Sequence, residues 1–418
     1  MKICDATQFY SEVGGGVRRY LTEKRRYILR HTAHEHVLII PGERTATVCE
    51  GRLTTCTIAS PKINRTSRYR ILFNLKQAEQ MAREQRPDII ESGDPYHLGW
   101  RMIQAGAELG VPVVGFYHSH FPEAYLRTAL KYCGPWLREV GLAYAQDYIR
   151  RLYNTFDHTL VPSVYLADLL RQWGVRRVAA VRLGVDTEIF RPGAAGADGA
   201  RTAWRQQLGV ADEAILLLYV GRLAGEKNTG TLVEAFKLLA RDAAVKFELL
   251  IIGDGAQRPL VLAAQRTAPR LHWRPYCANG GELAGYYRAA DLFVHPGVCE
   301  TFGLVALESQ ACGCPVVGIR GSYMDANIFA GLEHWAAENT PAALAAAIRR
   351  YATLDRRALG ATAAGKVLAE YSWARSFEKI FAVYEGEIAS LTQRHKGAKA
   401  RRNFLQGEHG VHGGFLKK

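Results

Sequence analysis

Two glutamates, Glu300 and Glu308, stand eight residues apart just after an apolar run that stops abruptly in a Pro-Gly pair (residues 292–297). This order predicts a buried strand, a glycine-containing loop and a helix over about residues 301–312. Because a helix rises 1.5 Å per residue, the two carboxylates would lie up to ~12 Å apart, the distance from a ribose across a diphosphate to a sugar ring. The free N–H groups at the start of such a helix bind anions, so we expect a phosphate beside Glu300.

Two cations form a second candidate pair. Arg222 and Lys227 stand five residues apart on a loop between the strand-like run Ile215–Val220 and a predicted helix over Thr229–Ala240. A guanidinium fork and an ammonium point charge that converge on one place suit a diphosphate leaving group. The alternative is two solvated surface cations.

Glycines and histidines mark a third region, in the first half of the chain. Gly14, Gly15 and Gly16 follow the first predicted strand and open a helix, which allows a close approach of the backbone to an anion. His118 and His120 stand at the carboxyl end of the strand-like run Val111–His118, where doubly wound sheets bind ligands. The alternatives are a flexible turn and structural histidines.

These residues need two α/β domains to position them. The 418 residues exceed the ~250–300 at which a single core stops growing, and strand-like runs alternate with helical stretches, which predicts parallel βαβ units in two doubly wound sheets. We expect an N-terminal domain over 1–185 and a second domain over 186–370. The first series of strands is Lys2–Phe9, His36–Ile40, Leu53–Ala59, Asp88–Ser92, Val111–His118 and Thr159–Val161; the second is Ile215–Val220, Phe247–Gly253, Leu271–Trp273, Asp291–His295 and Pro315–Ile319.

The last part of the chain changes character twice. An apolar stripe at helical spacing, from Trp373 to Leu391, predicts a final helix over 371–392. From there to residue 418, Lys, Gly and His dominate without periodicity, which predicts a disordered basic tail over 393–418.

The net charge of +14 is unevenly distributed. Residues 1–190 hold 26 Lys and Arg against 19 Asp and Glu, and residues 394–418 hold seven against one. Aromatic residues do not interleave with the basic ones and no zinc-finger or RNA-recognition signature occurs, so we expect no nucleic-acid partner. An anionic membrane surface, contacted through Arg18, Arg19, Lys24, Arg25, Arg26 and Arg30, or an anionic acceptor fits better; solvated helix faces are the alternative.

The cysteines and the hydropathy pattern predict a cytoplasmic protein that works at most on the inner face of a membrane. The eight cysteines are scattered or too tightly spaced for a zinc knuckle, so we expect reduced packing residues. No run of 18 apolar residues occurs, and the first 30 residues are too charged for a signal peptide.

A family resemblance now becomes specific. The stretch Glu300-Thr-Phe-Gly-Leu-Val-Ala-Leu-Glu308 resembles the Glu-x7-Glu motif of the retaining glycosyltransferases of family 4, and Ala311–Val317 resembles its usual sequel. Gly15 to Tyr20 fits the family pattern Gly-Gly-Val-x-Arg-Tyr. The resemblance implies the GT-B fold, in which two Rossmann-like domains face each other across a cleft and a C-terminal helix crosses back to the N-terminal domain.

The same resemblance implies a reaction: transfer of a hexosyl group, with retention and without a metal or other cofactor, from a nucleoside diphosphate sugar to a hydroxyl acceptor, lipid-linked or on a glycan. Arg222 and Lys227 would stabilise the diphosphate, Glu300 would hold the donor sugar, Glu308 the ribose, and His118 the sugar from the opposite wall. The implied catalytic residues are His118, Arg222, Lys227 and Glu300; the implied donor-binding residues are Gly15, Gly16, Gly221, Gly253, Tyr276, Thr301, Phe302, Gly303, Leu304 and Glu308.

Two other functions stay open, a nucleotide-sugar epimerase of the same fold and a non-catalytic nucleotide-sugar sensor. One segment also departs from the family pattern. Where relatives commonly show Gly-Gly, an acidic residue and an apolar run, this chain has Arg320–Trp335. The donor base, the sugar and the acceptor therefore do not follow from the resemblance.

Overall fold

The computed structural model describes residues 1–8, 10–11, 15–63, 69–118, 134–193 and 198–411, with the backbone alone from 394 onward. The described chain forms two α/β domains, each around one sheet. In the first sheet the strands are β1 (Lys2–Ala6), β2 (Glu35–Gly42), β3 (Ala46–Glu50), β4 (Leu53–Ala59), β5 (Ile89–Ser92), β6 (Val113–Phe116), β7 (His158–Val161) and β8 (Val178–Ala180). In the second they are β9 (Ile215–Val220), β10 (Phe247–Ile252), β11 (Leu271–Arg274), β12 (Leu292–His295) and β13 (Val316–Gly318).

Helices alternate with these strands along the described chain. They are α1 (Gly16–His31), α2 (Leu75–Gln85), α3 (His97–Leu109), α4 (Pro135–Thr155), α5 (Val164–Gln172), α6 (Asp198–Leu208), α7 (Thr229–Leu239), α8 (Arg258–Thr267), α9 (Gly280–Ala289), α10 (Leu304–Ala311), α11 (Pro341–Ala352), α12 (Arg356–Glu370) and α13 (Trp373–Val411). Short 3₁₀ turns span Gly225–Lys227, Tyr323–Asn327 and Leu332–His334. Among the described residues, no helix is both long enough and apolar enough to cross a membrane.

Each sheet has a point at which the order of its strands reverses. The first sheet runs β3-β4-β2-β1-β5-β6-β7-β8 and the second β11-β10-β9-β12-β13. Among the described strands, all pairings are parallel except that of β3 with β4. The order reverses between β1 and β5 and again between β9 and β12, and ligands of doubly wound sheets bind at the carboxyl ends of the strands beside such points. The loops that follow β9 and β12 are the ones that carry Lys227 and Glu300.

The strands were predictable because both faces of each sheet are covered. β9 reads Ile-Leu-Leu-Leu-Tyr-Val and β10 Phe-Glu-Leu-Leu-Ile-Ile, and nearly every side chain in them is buried, as expected for a parallel sheet between two layers of helices. The predicted GT-B architecture of two Rossmann-like domains is confirmed.

The chain crosses between the domains twice, and the two crossings lie side by side. The Val185 amide donates to the Tyr371 carbonyl oxygen at 2.8 Å, and Val185 forms a parallel bridge with Ser372. A β-carbon at Gly184 would lie 2.3 Å from the carbonyl carbon of Ser372, so only glycine allows this approach. Helix α13 then packs against α1 through aromatic rings: Phe377 contacts Tyr20 at 5.8 Å between centroids. The predicted return of the C-terminal helix is confirmed.

Three features differ from the predicted elements. The prediction did not include β3, an exposed edge strand, or β8, which has only three residues. The final helix continues to Val411 instead of ending near 392, so a helical backbone stands where we expected the start of a disordered tail. Helix α10 begins at Leu304 rather than Thr301, because Gly303 takes the left-handed conformation (φ 77°, ψ 52°) directly before it. The difference concerns only the first turn, since Glu300 lies in the preceding loop, where we expected it, and Glu308 lies on the helix.

The basic residues of α1 are not a free cationic face. Lys24 is fully buried, and its ammonium lies 2.7 Å from Asp5 Oδ1 and 3.3 Å from Glu91 Oε2. Arg26 pairs with Asp186 at 2.7 Å, and Arg25 donates to His36 Nδ1 at 3.1 Å. Contact with an anionic membrane stays a prediction, and α1 offers it fewer cations than the sequence suggested.

Candidate active site

Two helix N-termini, one from each domain, meet in the cleft. A β-carbon at Gly16, the first residue of α1, would lie 3.8 Å from Leu304 Cδ1, at the first turn of α10. The first N–H groups of each helix have no partner within the helix, and its dipole is positive at this end. An anion between Gly15–Gly16 and Gly303–Leu304 would therefore be stabilised from both domains.

The loop before α10 is fixed by the segment that departs from the family pattern. Asn327 Nδ2 donates to the Phe302 carbonyl oxygen at 2.9 Å. Met324 is buried over Gly303, where a β-carbon would lie 2.7 Å from its Sδ. The backbone of Thr301–Leu304 is thus held in place by the 3₁₀ turn Tyr323–Asn327. This turn lies within Arg320–Trp335, the segment whose sequence differs from the family pattern.

Glu300 lies between two basic side chains. The Lys227 ammonium forms a short ion pair with Glu300 Oε2, and His295 Nε2 lies 3.8 Å from the same oxygen. Burial opposes ionisation of Glu300, but the Lys227 charge and the contact with His295 outweigh it and hold the pKa of the carboxyl well below its ordinary value. Glu300 is therefore an anion, available as a hydrogen-bond acceptor at ordinary pH.

Arg222 is placed by tightly packed turns at the carboxyl ends of β9 and β10. A β-carbon at Gly253 (φ 149°) would lie 1.9 Å from the Gly221 carbonyl oxygen, so the two turns touch backbone to backbone. Tyr219 Oη donates to the Arg222 carbonyl oxygen at 3.0 Å, and the guanidinium pairs with Glu226 at 3.0 Å. The two cations expected to bind the diphosphate thus contact different carboxylates, Arg222 that of Glu226 and Lys227 that of Glu300. Arg222 is the more exposed of the two.

Glu308 is buried and held from both domains. Its Oε1 lies 3.4 Å from Arg19 Nη2, and Tyr287 Oη donates to its Oε2 at 3.2 Å. Burial raises the pKa of Glu308, although Arg19 and the Tyr287 hydroxyl oppose the increase. The Arg19 guanidinium also lies 5.9 Å from the centre of the Phe190 ring.

His118 lies at the carboxyl end of β6, where the sequence placed it. Its ring stacks on Phe116 with 3.9 Å between centroids and touches the edge of Tyr20 at 4.9 Å. Burial, and then the nearby Lys24 charge, lower the pKa of His118 to about 3. His118 is therefore a neutral imidazole at ordinary pH, able to donate or accept a hydrogen bond. His120 and Gly14 lie outside the described residues.

Tyr276 follows β11 at the same edge of the second sheet as Gly221 and Gly253, and its side chain is 37% exposed. An exposed aromatic ring at this edge could stack on a flat heterocycle.

Four residues at this site were missed as site residues by sequence reasoning. Arg19 stands inside the Gly-Gly-Val-x-Arg-Tyr pattern but was assigned to a basic surface. His295 ends a strand, as His118 does, so the same signal could have identified it. Tyr287 and Asn327 reach Glu308 and Phe302 over 21 and 25 residues of chain, and no local pattern indicates such contacts.

Comparisons with known proteins agree with this geometry. The family model described as Glycosyltransferase Family 4 matches residues 14–189, and the one described as Glycosyl transferases group 1 matches residues 200–365. A D-inositol 3-phosphate glycosyltransferase of Geodermatophilus obscurus is 38% identical over 234 residues, which are 52% of this chain and 50% of the relative. The chain thus spans about half the length of that relative.

Another relative covers more of the chain. A GDP-mannose-dependent alpha-mannosyltransferase of Mycobacterium tuberculosis (strain CDC 1551 / Oshkosh) is 32% identical over 296 residues, 69% of this chain and 71% of the relative. Among solved structures, a sucrose-phosphate synthase from Thermosynechococcus elongatus superposes with a TM-score of 0.74 at 20% identity, over 93% of this chain and 99% of that one. With both domains matched and the motif glutamates in the cleft between them, the chain belongs to the group 1, family 4 glycosyltransferases of GT-B fold.

Proposed function

We propose that this glycosyltransferase moves a hexosyl group from a nucleoside diphosphate sugar to a hydroxyl acceptor, with retention and without a metal. The observation that carries the proposal is the meeting of two helix N-termini, between Gly16 and Leu304, with the carboxyl groups of Glu300 and Glu308 on the same loop and helix. Such a place accepts a diphosphate between two groups that carry hydroxyls.

The donor would lie along this line. Glu308 would accept hydrogen bonds from the ribose hydroxyls, and the diphosphate would occupy the space between the two helix ends. Glu300, kept ionised by Lys227, would accept from hydroxyls of the donor sugar. Tyr276 would stack on the base. His118, as a neutral imidazole, would bind a sugar hydroxyl from the opposite wall.

Retention requires the acceptor to attack the face from which the diphosphate leaves. The anomeric carbon–oxygen bond breaks and its electron pair passes to the diphosphate. The acceptor oxygen then bonds to the anomeric carbon on the same face, and its proton passes to the departing phosphate oxygen. Arg222, Lys227 and the helix N–H groups would stabilise the charge that develops on the diphosphate, which is often the largest contribution to such catalysis.

Two features support an anionic hydroxyl compound as the acceptor, whether lipid-linked or free. Residues 1–190 carry more basic than acidic residues, and an excess of positive charge on a domain raises the local concentration of anions. One relative is named for an inositol phosphate.

The assigned roles of the carboxylates make different predictions for binding. Glu308→Ala should weaken the binding of free nucleoside diphosphate, because the ribose loses its acceptor. Glu300→Ala should leave that affinity near the wild-type value and lower turnover, because it contacts only the sugar. Calorimetry with UDP, GDP and ADP, together with a donor screen of the corresponding sugars, measures both effects.

Glu234→Ala is the matched control, because Glu234 lies exposed on α7 of the same domain. Equal losses of nucleotide affinity in the Glu300 and Glu308 variants would contradict the assigned roles. Product analysis separates the rival functions: an epimerase changes the donor without an acceptor, and a sensor binds it without turnover.

Independence from metals is expected because positive charge at the diphosphate would come from Arg222, Lys227 and two helix N-termini. Activity in excess EDTA should equal activity in buffer, and added manganese should not raise it. Loss of turnover in EDTA with recovery in manganese would overturn this part of the proposal.

A further inference from the structure

The carboxylate assigned to the ribose is not held by its own domain alone. Arg19 belongs to α1 of the N-terminal domain, and Glu308 to α10 of the second domain. Their side chains are 29% and 6% exposed, so the pair is largely removed from solvent. An ion pair at this depth is little screened by salt and depends on both domains being close together.

The geometry leaves Glu308 able to bind a ligand. One oxygen faces Arg19 at 3.4 Å and the other accepts from Tyr287 at 3.2 Å. An ionised carboxylate has about four lone-pair sites, so two contacts leave capacity for ribose hydroxyls. The Arg19 guanidinium has two further contacts: its Nη1 lies 3.9 Å from Glu23 Oε1 on the same helix, and it lies over the Phe190 ring.

We infer that Arg19 is a positioning residue for nucleotide binding: it orients Glu308 and keeps its negative charge, so that the N-terminal domain contributes to affinity for a nucleotide held by the second domain. The inference rests on the proposed role of Glu308 as the ribose acceptor. A buried carboxylate without a countercharge is costly and tends to become protonated, and a protonated Glu308 would offer the ribose fewer acceptor sites.

The other ion pairs that the structure describes for α1 do not include Glu300 or Glu308. Arg30 pairs with Glu188 at 3.6 Å, with both side chains exposed, in the segment that joins the domains. That pair also links α1 to the inter-domain segment, but it contacts neither motif glutamate. Arg30→Gln is therefore a matched control that removes one cation of α1 and one ion pair without reaching Glu308.

The test is calorimetry of the full chain with whichever of UDP, GDP and ADP the wild type binds. Arg19→Gln should weaken binding roughly 5- to 150-fold, the usual range for coupling between sites. Arg19→Lys should restore part of the loss, and Arg30→Gln should leave affinity unchanged. Thermal melting of each variant shows whether it is folded. If Arg19→Gln does not fold, the affinity of Arg19→Lys still tests the inference.

Two further readouts separate positioning from a general structural effect. In a Glu308→Gln background, Arg19→Gln should add little, because its partner charge is already gone. The charged and titratable groups around Glu308 are Arg19 and Glu23 from α1, Tyr287 from α9 and Cys312, which directly follows α10. Because Arg19 opposes the raised pKa of Glu308, Arg19→Gln should lose affinity on acidification at a higher pH than the wild type.

Three results would overturn the inference. Wild-type affinity or tighter binding in Arg19→Gln would mean that Arg19 does not support Glu308. An equal loss in the Glu308→Gln background would mean that Arg19 acts elsewhere, for instance directly on a phosphate. Failure of the wild type to bind any of the three nucleotides would overturn the proposed function together with this inference, whereas the first two results leave the proposed function intact.

Discussion

Replacing Lys227 or Arg222 with alanine is expected to lower turnover by roughly 10²–10³-fold, the scale for removal of one group that stabilises charge in a transition state. Lys227 has a second role, since its ammonium is the main counterion of Glu300. Lys227→Ala should therefore also raise the pKa of Glu300 and weaken its contact with the sugar. Turnover at saturating donor and the slow hydrolysis of the donor without acceptor should fall together.

Lys237→Ala provides the comparison, because Lys237 pairs with Glu234 on the exposed side of α7, the helix that follows the loop of Arg222 and Lys227. It should keep near-normal turnover. Near-normal turnover in both Lys227→Ala and Arg222→Ala would remove the two cations from the site. A loss confined to Lys227→Ala would assign the effect to Glu300 rather than to the diphosphate.

Lys24→Met is expected to lower the free energy of unfolding by about 3–5 kcal/mol, the cost of leaving buried charges without their partner. Lys24 lies between Asp5 and Glu91, and its ammonium also donates to Tyr384 Oη at 2.8 Å. Methionine fills a similar volume but leaves Asp5 and Glu91 facing each other without a cation.

Chemical denaturation of Lys24→Met measures this loss. Lys246→Met, which breaks an exposed ion pair with Glu213, should change stability by less than about 1 kcal/mol. A similar small change in Lys24→Met would contradict the assigned role of the buried cluster.

The loss in Lys24→Met should also depend on pH. Burial, with Asp5 nearby and against the opposing Lys24 charge, raises the pKa of Glu91 to about 7. A carboxyl group with a raised pKa in the folded state contributes stability below its unfolded value of 4.5, and that stability is lost as the pH rises through 7. Glu91 needs a counterion mainly when it is ionised. The free energy of unfolding that Lys24→Met loses relative to the wild type should therefore be larger at pH 8 than at pH 5.

The strands were predictable from the sequence where burial on both faces demands continuous apolar runs, as in β9 and β10. The edge strand β3 was not, because its Thr, Val, Cys and Glu side chains are largely exposed and its stability comes from pairing with β4. The start of α10 was misplaced by three residues, because Gly303 takes the left-handed conformation directly before the helix, in contact with Met324. No pattern local to Gly303 encodes that contact.

At the site, the motifs located the loops but not the partners of their side chains. Lys227 and Glu300 are 73 residues apart in the chain and meet only because β9 and β12 are neighbours in the sheet. Arg19 and Glu308 belong to different domains, and their contact depends on how the domains face each other. Motif spacing carries the chemistry of each residue, whereas pairings across a cleft are a property of the assembled fold.

The helix that crosses back has a consequence for the order in which the protein can become stable during synthesis. Tyr384, on α13, hydrogen-bonds to Glu91, which precedes it by 293 residues. Phe377 and Phe381 cover α1 from the same helix. While the second domain is being translated, Asp5, Lys24 and Glu91 have left the ribosome without the hydroxyl group and the aromatic rings that complete their surroundings. Domains often fold in the order in which they are made, but here the domain translated first is completed by a helix translated after the whole of the other.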